Sequence, residues 1–169
     1  MFEPCVLGVD PGLAATGLAA VSEAGGRARV LWSDTVRTPA VLAEPHRLRR
    51  VAEAVRKAIQ TYGPQAMAVE AVMWGQNKTS ALSVSRATGV VLLIAAEAGI
   101  PVQEYAPLEV KMAITGVGNA EKDRVRRTMV RAHRVEGVPE QPDAVDAAAV
   151  ALCHLHQSRM RRAGAVGAR

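Results

Sequence analysis

Two acidic residues follow apolar runs that are typical of buried strands. Glu70 ends the run Met67-Ala68-Val69, and a carboxylate buried there without a partner would be strongly destabilising. Asp10 ends the first apolar run, where Pro11 and Gly12 force the chain to turn. Aspartate before Pro-Gly is also ordinary turn chemistry. The turn by itself therefore leaves the role of Asp10 open, whereas Glu70 calls for a chemical explanation.

Two further acids lie on the last predicted helix. Asp143 and Asp146 are three residues apart, so both project from one face of that helix. The helix dipole favours Asp143 in the first turn, but Asp146 lies beyond that benefit, beside a run of three alanines that would let the helix approach a sheet closely. No basic residue occurs from position 141 to 152 to neutralise the pair.

These four acids predict a metal centre if the first and fourth strands are neighbours and the last helix packs over their ends. Clustered carboxylates repel one another unless a divalent cation binds them, and ligation by oxygen alone suits Mg²⁺ or Mn²⁺. Two such ions would stabilise the attacking and leaving oxygens of a phosphodiester cleavage, with water as the nucleophile.

Basic residues are concentrated in the predicted helix that precedes these two acids. Glycines at 116 and 118 form a turn before this helix, and Asn119 is a candidate N-cap, so backbone N–H groups and Lys122 could hold a phosphate. Lys111 lies just before the turn. The alternative is an ordinary solvated face. The basic residues are Lys122, Arg124, Arg126, Arg127, Arg131 and Arg134. An acidic centre beside basic helices is typical of a nuclease.

Trp74 is one of few aromatic residues in the chain, which total 3% of the sequence. It lies four positions after Glu70, in a stretch too polar and glycine-containing for a strand. Its ring either folds back on the core or stacks on an unpaired base, an interaction worth about 1–3 kcal/mol.

Composition places these residues in one folded domain. The chain has 169 residues, 49% of them hydrophobic and 22% charged, which excludes disorder, collagen-like repeats and a pure coiled coil. The net charge of +5 favours a polyanionic partner only weakly. Cys5 and Cys153 are predicted as buried hydrophobic residues. The longest apolar run, at 90–96, is too short to span a membrane, so the sequence predicts a cytoplasmic protein.

Periodicity predicts the elements that position the acids. Strands at 5–9, 16–21 and 29–36 form an antiparallel meander, followed by an amphipathic helix from 44 to the Gly63-Pro64 stop. Strands at 66–70 and 100–105 then alternate with a long apolar helix at 78–98, and helices at 108–114, 120–134 and 139–158 close the chain. This order predicts an α/β domain with a mixed five-stranded sheet, three antiparallel strands and then two parallel ones, flanked by helices.

Five motifs in chain order resemble those of the RuvC family of bacterial crossover-junction endodeoxyribonucleases. They are Gly8-Val9-Asp10-Pro11-Gly12, Val69-Glu70-Ala71-Val72, the segment 77–89 with Arg86-Ala87-Thr88-Gly89, the segment 115–122, and Asp143-Ala144-Val145-Asp146-Ala147-Ala148. The resemblance implies one ribonuclease-H-like nuclease domain at 1–158. A flexible basic tail is expected at 159–169.

The same resemblance implies a homodimer that resolves four-way (Holliday) junctions by paired symmetric nicks, with RuvA and RuvB as partners. It assigns catalysis and metal binding to Asp10, Glu70, Asp143 and Asp146. It also assigns DNA contacts to a further set: Lys111, Lys122, Asn77 and Arg86. Family members carry Phe three residues after the catalytic Glu, where this chain has Met73 followed by Trp74. One of these two residues is expected to act as the base-stacking wedge.

Two other functions compete with this hypothesis. The hairpin around Asp10 is similar to the phosphate-binding hairpin of actin-like or sugar-kinase ATPases, but those proteins need two such lobes and a longer chain. A non-catalytic DNA-binding module of the same fold is the other alternative. Four clustered negative charges beside DNA argue against it.

Overall fold

The structure, a computed structural model, describes residues 4–72 and 78–166 of the chain. Strands and helices alternate along it much as the periodicity predicts. The elements are β1 (Cys5–Asp10), β2 (Ala15–Ala24), β3 (Arg27–Arg37), α1 (Glu44–Tyr62), β4 (Ala66–Glu70), α2 (Lys78–Glu97), β5 (Val102–Tyr105), α3 (Pro107–Thr115), α4 (Lys122–Arg131) and α5 (Pro142–Val166).

The five strands form one mixed sheet in the order β3-β2-β1-β4-β5. Strands β1, β2 and β3 pair antiparallel, whereas β4 runs parallel to β1 and β5 runs parallel to β4. The predicted fold class is therefore confirmed. Because β1 and β4 are adjacent and parallel, their carboxyl ends lie at the same edge of the sheet.

Hydrophobic cores lie on both faces of the sheet. Val6 and Ala68 face a core built with α3, α4 and α5, whereas Leu7 and Val69 face a core built with α1 and α2. This alternation is the period of two expected for strands covered on both sides. Helix α5 thus crosses one face of the central strands, as the predicted metal centre requires.

Two strand glycines allow α5 to lie directly on the sheet. A Cβ atom at Gly17 would lie 1.9 Å from the backbone oxygen of Asp143, and one at Gly8 would lie 2.0 Å from that of Ala147. Glycine inside a strand often marks such a close approach. These contacts determine the height of the first two turns of α5 above β1 and β2.

Two helices differ from their predicted bounds. Helix α4 begins at Lys122 rather than 120, because Glu121 has extended backbone (φ −70°, ψ 154°) and is the N-cap. Asn119 is therefore not the cap, and the prediction of a phosphate site built on it is wrong in that respect. The helix ends at Arg131, before the left-handed Arg134 (φ 52°).

Helix α5 continues to Val166, past the predicted end at Ser158. An ion pair of 2.8 Å between Arg159 and Glu23 of β2 ties this extension to the sheet. Residues 159–166 are thus helical, and the flexibility expected of residues 159–169 stays a prediction.

Other sequence predictions concern the cysteines and the membrane. Cys5 and Cys153 are free and buried, as predicted. No helix within residues 4–72 and 78–166 is long and apolar enough to cross a membrane.

Candidate active site

The sheet brings Asp10 and Glu70 together. Val9 is the register partner of Val69 across the parallel β1–β4 pair, so the next residue of each strand reaches the same edge. The hydroxyl of Thr16 donates to the backbone oxygen of Gly12 at 2.6 Å and closes the turn after Asp10. A Cβ at Gly12 would lie 2.3 Å from the oxygen of Ala15, so this turn requires glycine.

Helix α5 supplies the other two acids. Asp146 lines a cleft of about 210 Å³ together with Asp10 and Glu70. Asp143 lies one turn earlier on α5, against Gly17, the register partner of Asp10 on β2. The structure therefore places three of the four predicted carboxylates in one cleft, and Asp143 lies close enough for its charge to act on Asp10.

Burial and mutual repulsion disfavour the ionised forms of the two strand carboxyls. Burial, followed by the charges of Glu70 and Asp146, raises the pKa of Asp10 to about 8. Burial and then the charge of Asp146 also raise the pKa of Glu70, against the nearby Lys122 and Lys111. Both shifts go in the direction expected of a buried acidic site that is short of positive charge.

Two lysines line the same cleft from helices α3 and α4. The Lys122 ammonium donates a hydrogen bond to the Asp146 carboxylate, and this bond raises the pKa of Lys122. Lys111 also lines the cleft, close enough to lower the pKa of Glu70. The absence of basic residues around Asp146 in the sequence is thus compensated by a cation from another helix.

The four carboxylates fit a divalent cation by their chemistry, since Mg²⁺ and Mn²⁺ prefer oxygen ligands. The raised pKa values of Asp10 and Glu70 reflect burial first and then repulsion by neighbouring carboxylates, and a cation would relieve this repulsion. However, no three His, Cys, Asp or Glu side chains in the described part of the chain converge closely enough to hold an ion. Asp146 is instead paired with Lys122.

The remaining predicted DNA contacts lie elsewhere. Arg86 on α2 does not line this cleft, and its guanidinium pairs with Glu44 of α1 at 2.6 Å. Met73, Trp74 and Asn77 lie outside the described residues, so their assignments stay predictions.

Gly8 and Gly17 contribute to the site in a way that the sequence reasoning missed. Their role is to let α5 approach, and they carry no chemistry of their own. The available signal was the placement of a glycine inside each of two otherwise apolar strand patterns.

The raised pKa of Asp10 predicts that the metal-free protein loses stability as pH rises. Below about pH 4 Asp10 is protonated in both folded and unfolded chains. Between there and about pH 8 only the unfolded chain ionises this carboxyl, so the free energy of unfolding falls across this window and stays lowered above it. In EDTA at pH 8, Asp10→Asn is expected to raise the thermal midpoint by about 4 °C or more.

Thermal denaturation of both proteins from pH 4 to 9 measures this effect. The advantage of Asp10→Asn should shrink toward pH 4, and Asp34→Asn, at an exposed position on β3, should show none of it. Equal midpoints for Asp10→Asn and the parent protein at pH 8 would show that the Asp10 carboxyl is not destabilised by its surroundings.

Comparisons with known proteins agree with this geometry. The family model described as "Crossover junction endodeoxyribonuclease RuvC" matches residues 6–154. The crossover junction endodeoxyribonuclease RuvC of Syntrophomonas wolfei is 41% identical over 155 residues, which cover 92% of this chain and 90% of that protein.

Solved structures extend the comparison to three dimensions. The RuvC of T. thermophilus in complex with Holliday junction substrate superposes with a TM-score of 0.85 at 33% identity, covering 93% of this chain and 96% of the other. The yeast mitochondrial Holliday junction resolvase Ydc2 shares the fold, with a TM-score of 0.67 at 10% identity. The match covers 89% of this chain and 77% of that one. The match of sequence and fold over nearly the whole chain places it in the RuvC family of crossover junction endodeoxyribonucleases.

Proposed function

We propose that this protein resolves Holliday junctions by paired symmetric nicks that leave 5′-phosphate and 3′-hydroxyl ends. The observation that carries this function is the cleft in which Asp10, Glu70 and Asp146 face Lys111 and Lys122. A cleft with both charge signs can bind a phosphate and the cations that activate it. The related T. thermophilus RuvC has been solved in complex with Holliday junction substrate.

Nucleases of this family depend on a divalent metal, and we assign its ligands to Asp10, Glu70, Asp143 and Asp146, with two Mg²⁺ or Mn²⁺ ions per site. Such ions, when bound, lower the pKa of a water nucleophile and stabilise charge on the scissile phosphate. Asp10 and Glu70 sit on rigid strand ends, which keeps their oxygens in place. Lys111 and Lys122 supply positive charge toward the phosphate backbone.

A cleavage assay on a synthetic four-way junction tests this function. We expect paired nicks in Mg²⁺ or Mn²⁺, ligatable products, no cutting in EDTA, and far slower cutting of a linear duplex of the same sequence. Junction binding without cleavage under every metal condition would favour the non-catalytic module. Measurable ATP turnover would favour an ATPase lobe, against which the family membership of nearly the whole chain already argues.

We also propose a homodimer, because paired nicks need two active sites at a fixed spacing. Leu82 and Leu93 of α2 are 49% and 58% exposed, and their spacing of three helical turns places them on one stripe. Leu93→Glu is expected to weaken the dimer at least about tenfold, because a two-fold interface loses the burial of this leucine twice.

Sedimentation at micromolar concentration measures the dimer. Val41→Glu is the matched control, since Val41 is 90% exposed in the loop before α1 and is not part of the α2 stripe. A dimer unaffected by Leu93→Glu would place the interface elsewhere.

The proposed setting is the cytoplasm, and the proposed partners are RuvA and RuvB. These assignments follow from the family resemblance. Co-sedimentation of this protein with a junction preloaded with RuvA would test the first partner. Sedimentation of all of the protein in the unbound fraction would contradict it.

A further inference from the structure

The ion pair between Lys122 and Asp146 places a positive charge inside the carboxylate cluster. Asp146 retains 16% of its side-chain exposure, while the Lys122 side chain is 65% exposed. The lysine therefore reaches in from solvent to a carboxylate that is mostly covered. The Asp146 oxygen that accepts this hydrogen bond is one that a bound cation would need.

Lys122 interacts with more than its direct partner. Its charge acts on Asp10 and Glu70, and the charges of Asp10 and Asp143 act on Lys122 in return. One ammonium thus partly balances all four carboxylates. This is the electrostatic task that a divalent cation would perform in the same place.

A second position is open to the Lys122 ammonium. A second cleft, of about 270 Å³, lies between the start of α4 and the start of α5, and is lined by Lys122, Arg126 and Asp146 among others. Lys122 is the first residue of α4 and has a long, flexible side chain. It can turn from the carboxylates toward this cleft without moving the helix.

We propose that Lys122 is an internal counter-ion that must release Asp146 before a divalent ion can bind, so that metal binding and lysine release are one exchange. The proposal rests on the proposed function, since it concerns the same site. It explains why four chemically suitable carboxylates fail to converge on an ion site in this structure. It also means that metal binding frees the Lys122 ammonium from Asp146, so that this ammonium can meet the phosphate backbone beside the carboxylate cleft.

Titration of Mn²⁺ into the metal-free protein without DNA tests the exchange. Free Mn²⁺ is followed by electron paramagnetic resonance and the heat by calorimetry. Lys122→Gln removes the competing cation and is expected to tighten Mn²⁺ binding about fivefold or more, the size of a partly buried ion pair. Lys111→Gln removes the same charge from the same cleft but no ion pair that the structure shows, and is expected to tighten Mn²⁺ binding clearly less than Lys122→Gln does.

A second readout follows Lys122 itself. The Cε–Hε signal of this lysine, assigned by its loss in Lys122→Gln, should move toward that of a solvated lysine as Mg²⁺ is added. Mn²⁺ binding by Lys122→Gln that is equal to or weaker than that of the parent protein would overturn the exchange. Two other results would also overturn it: equal tightening of Mn²⁺ binding by Lys111→Gln and Lys122→Gln, or no Mn²⁺ binding by any of the three proteins. Junction cleavage by the parent protein separates these failures from failure of the proposed function, which would show as no cleavage in any metal.

Discussion

Replacing Asp146 by asparagine is expected to lower the rate of junction cleavage about a thousandfold or more while leaving junction binding intact. Asp146 lines the cleft with Asp10 and Glu70, and loss of a group that acts directly in a hydrolytic reaction commonly lowers the rate by about 10⁴ to 10⁶. Binding should persist because it depends mainly on cations that meet phosphates, and Lys111 and Lys122 remain.

Single-turnover cleavage in Mg²⁺ and a gel-shift titration in EDTA measure the two quantities separately. Glu53→Gln is the matched control, because Glu53 is an exposed acid on α1 and lines neither the carboxylate cleft nor the second cleft beside Lys122. This control should cut at the parental rate. Should Asp146→Asn do the same, the metal and catalytic assignment of Asp146 is wrong.

Two of the four carboxylates stood out in the sequence because each breaks a local rule. Glu70 ends an apolar strand where burial should select an apolar residue, and Asp146 sits beside alanines on a helix face that must be buried. The mixed sheet also followed from the pattern, since a meander and then alternating helices and strands leave few topologies for one sheet. The adjacency of β1 and β4 was only a condition of the predicted metal centre, and the structure supplies it.

The charge balance of the site was not predictable in the same way. The cation nearest Asp146 lies on α4, twenty-four positions earlier in the chain, so no window of sequence around Asp146 contains it. Likewise, the sequence predicts Arg86 as a DNA contact, but its guanidinium is paired with Glu44 on α1. Both pairings depend on how helices pack, which periodicity does not report.

The bounds of helices α4 and α5 were also not predictable from the sequence. Helix α4 and the residues before it are polar or small from 119 to 124, so propensity distinguishes poorly between a start at 120 and one at 122. The extension of α5 beyond Ser158 is supported by the contact of Arg159 with Glu23 on β2. That contact joins residues far apart in the chain, so the local sequence pattern does not predict it.

Gly17→Ala is the second variant with a large expected effect, and it acts without removing any chemical group. Gly17 lies between two catalytic candidates, as the register partner of Asp10 and in contact with the backbone of Asp143. A methyl group there would lie 1.9 Å from the Asp143 oxygen, so the start of α5 must move away from β2. Junction cleavage is expected to fall about a hundredfold, as for a misplacement of about 1 Å.

Overpacking of this kind also destabilises the fold, by about 1–3 kcal/mol, so stability and positioning must be separated. Val55→Ala is the control matched for stability. Val55 is buried on α1 at the opposite face of the sheet, and its truncation lowers the free energy of unfolding by a comparable amount. At a temperature where both variants are folded, Val55→Ala should cleave at the parental rate and Gly17→Ala should not. Equal cleavage by the two would mean that the height of α5 above β2 does not govern how the carboxylates meet.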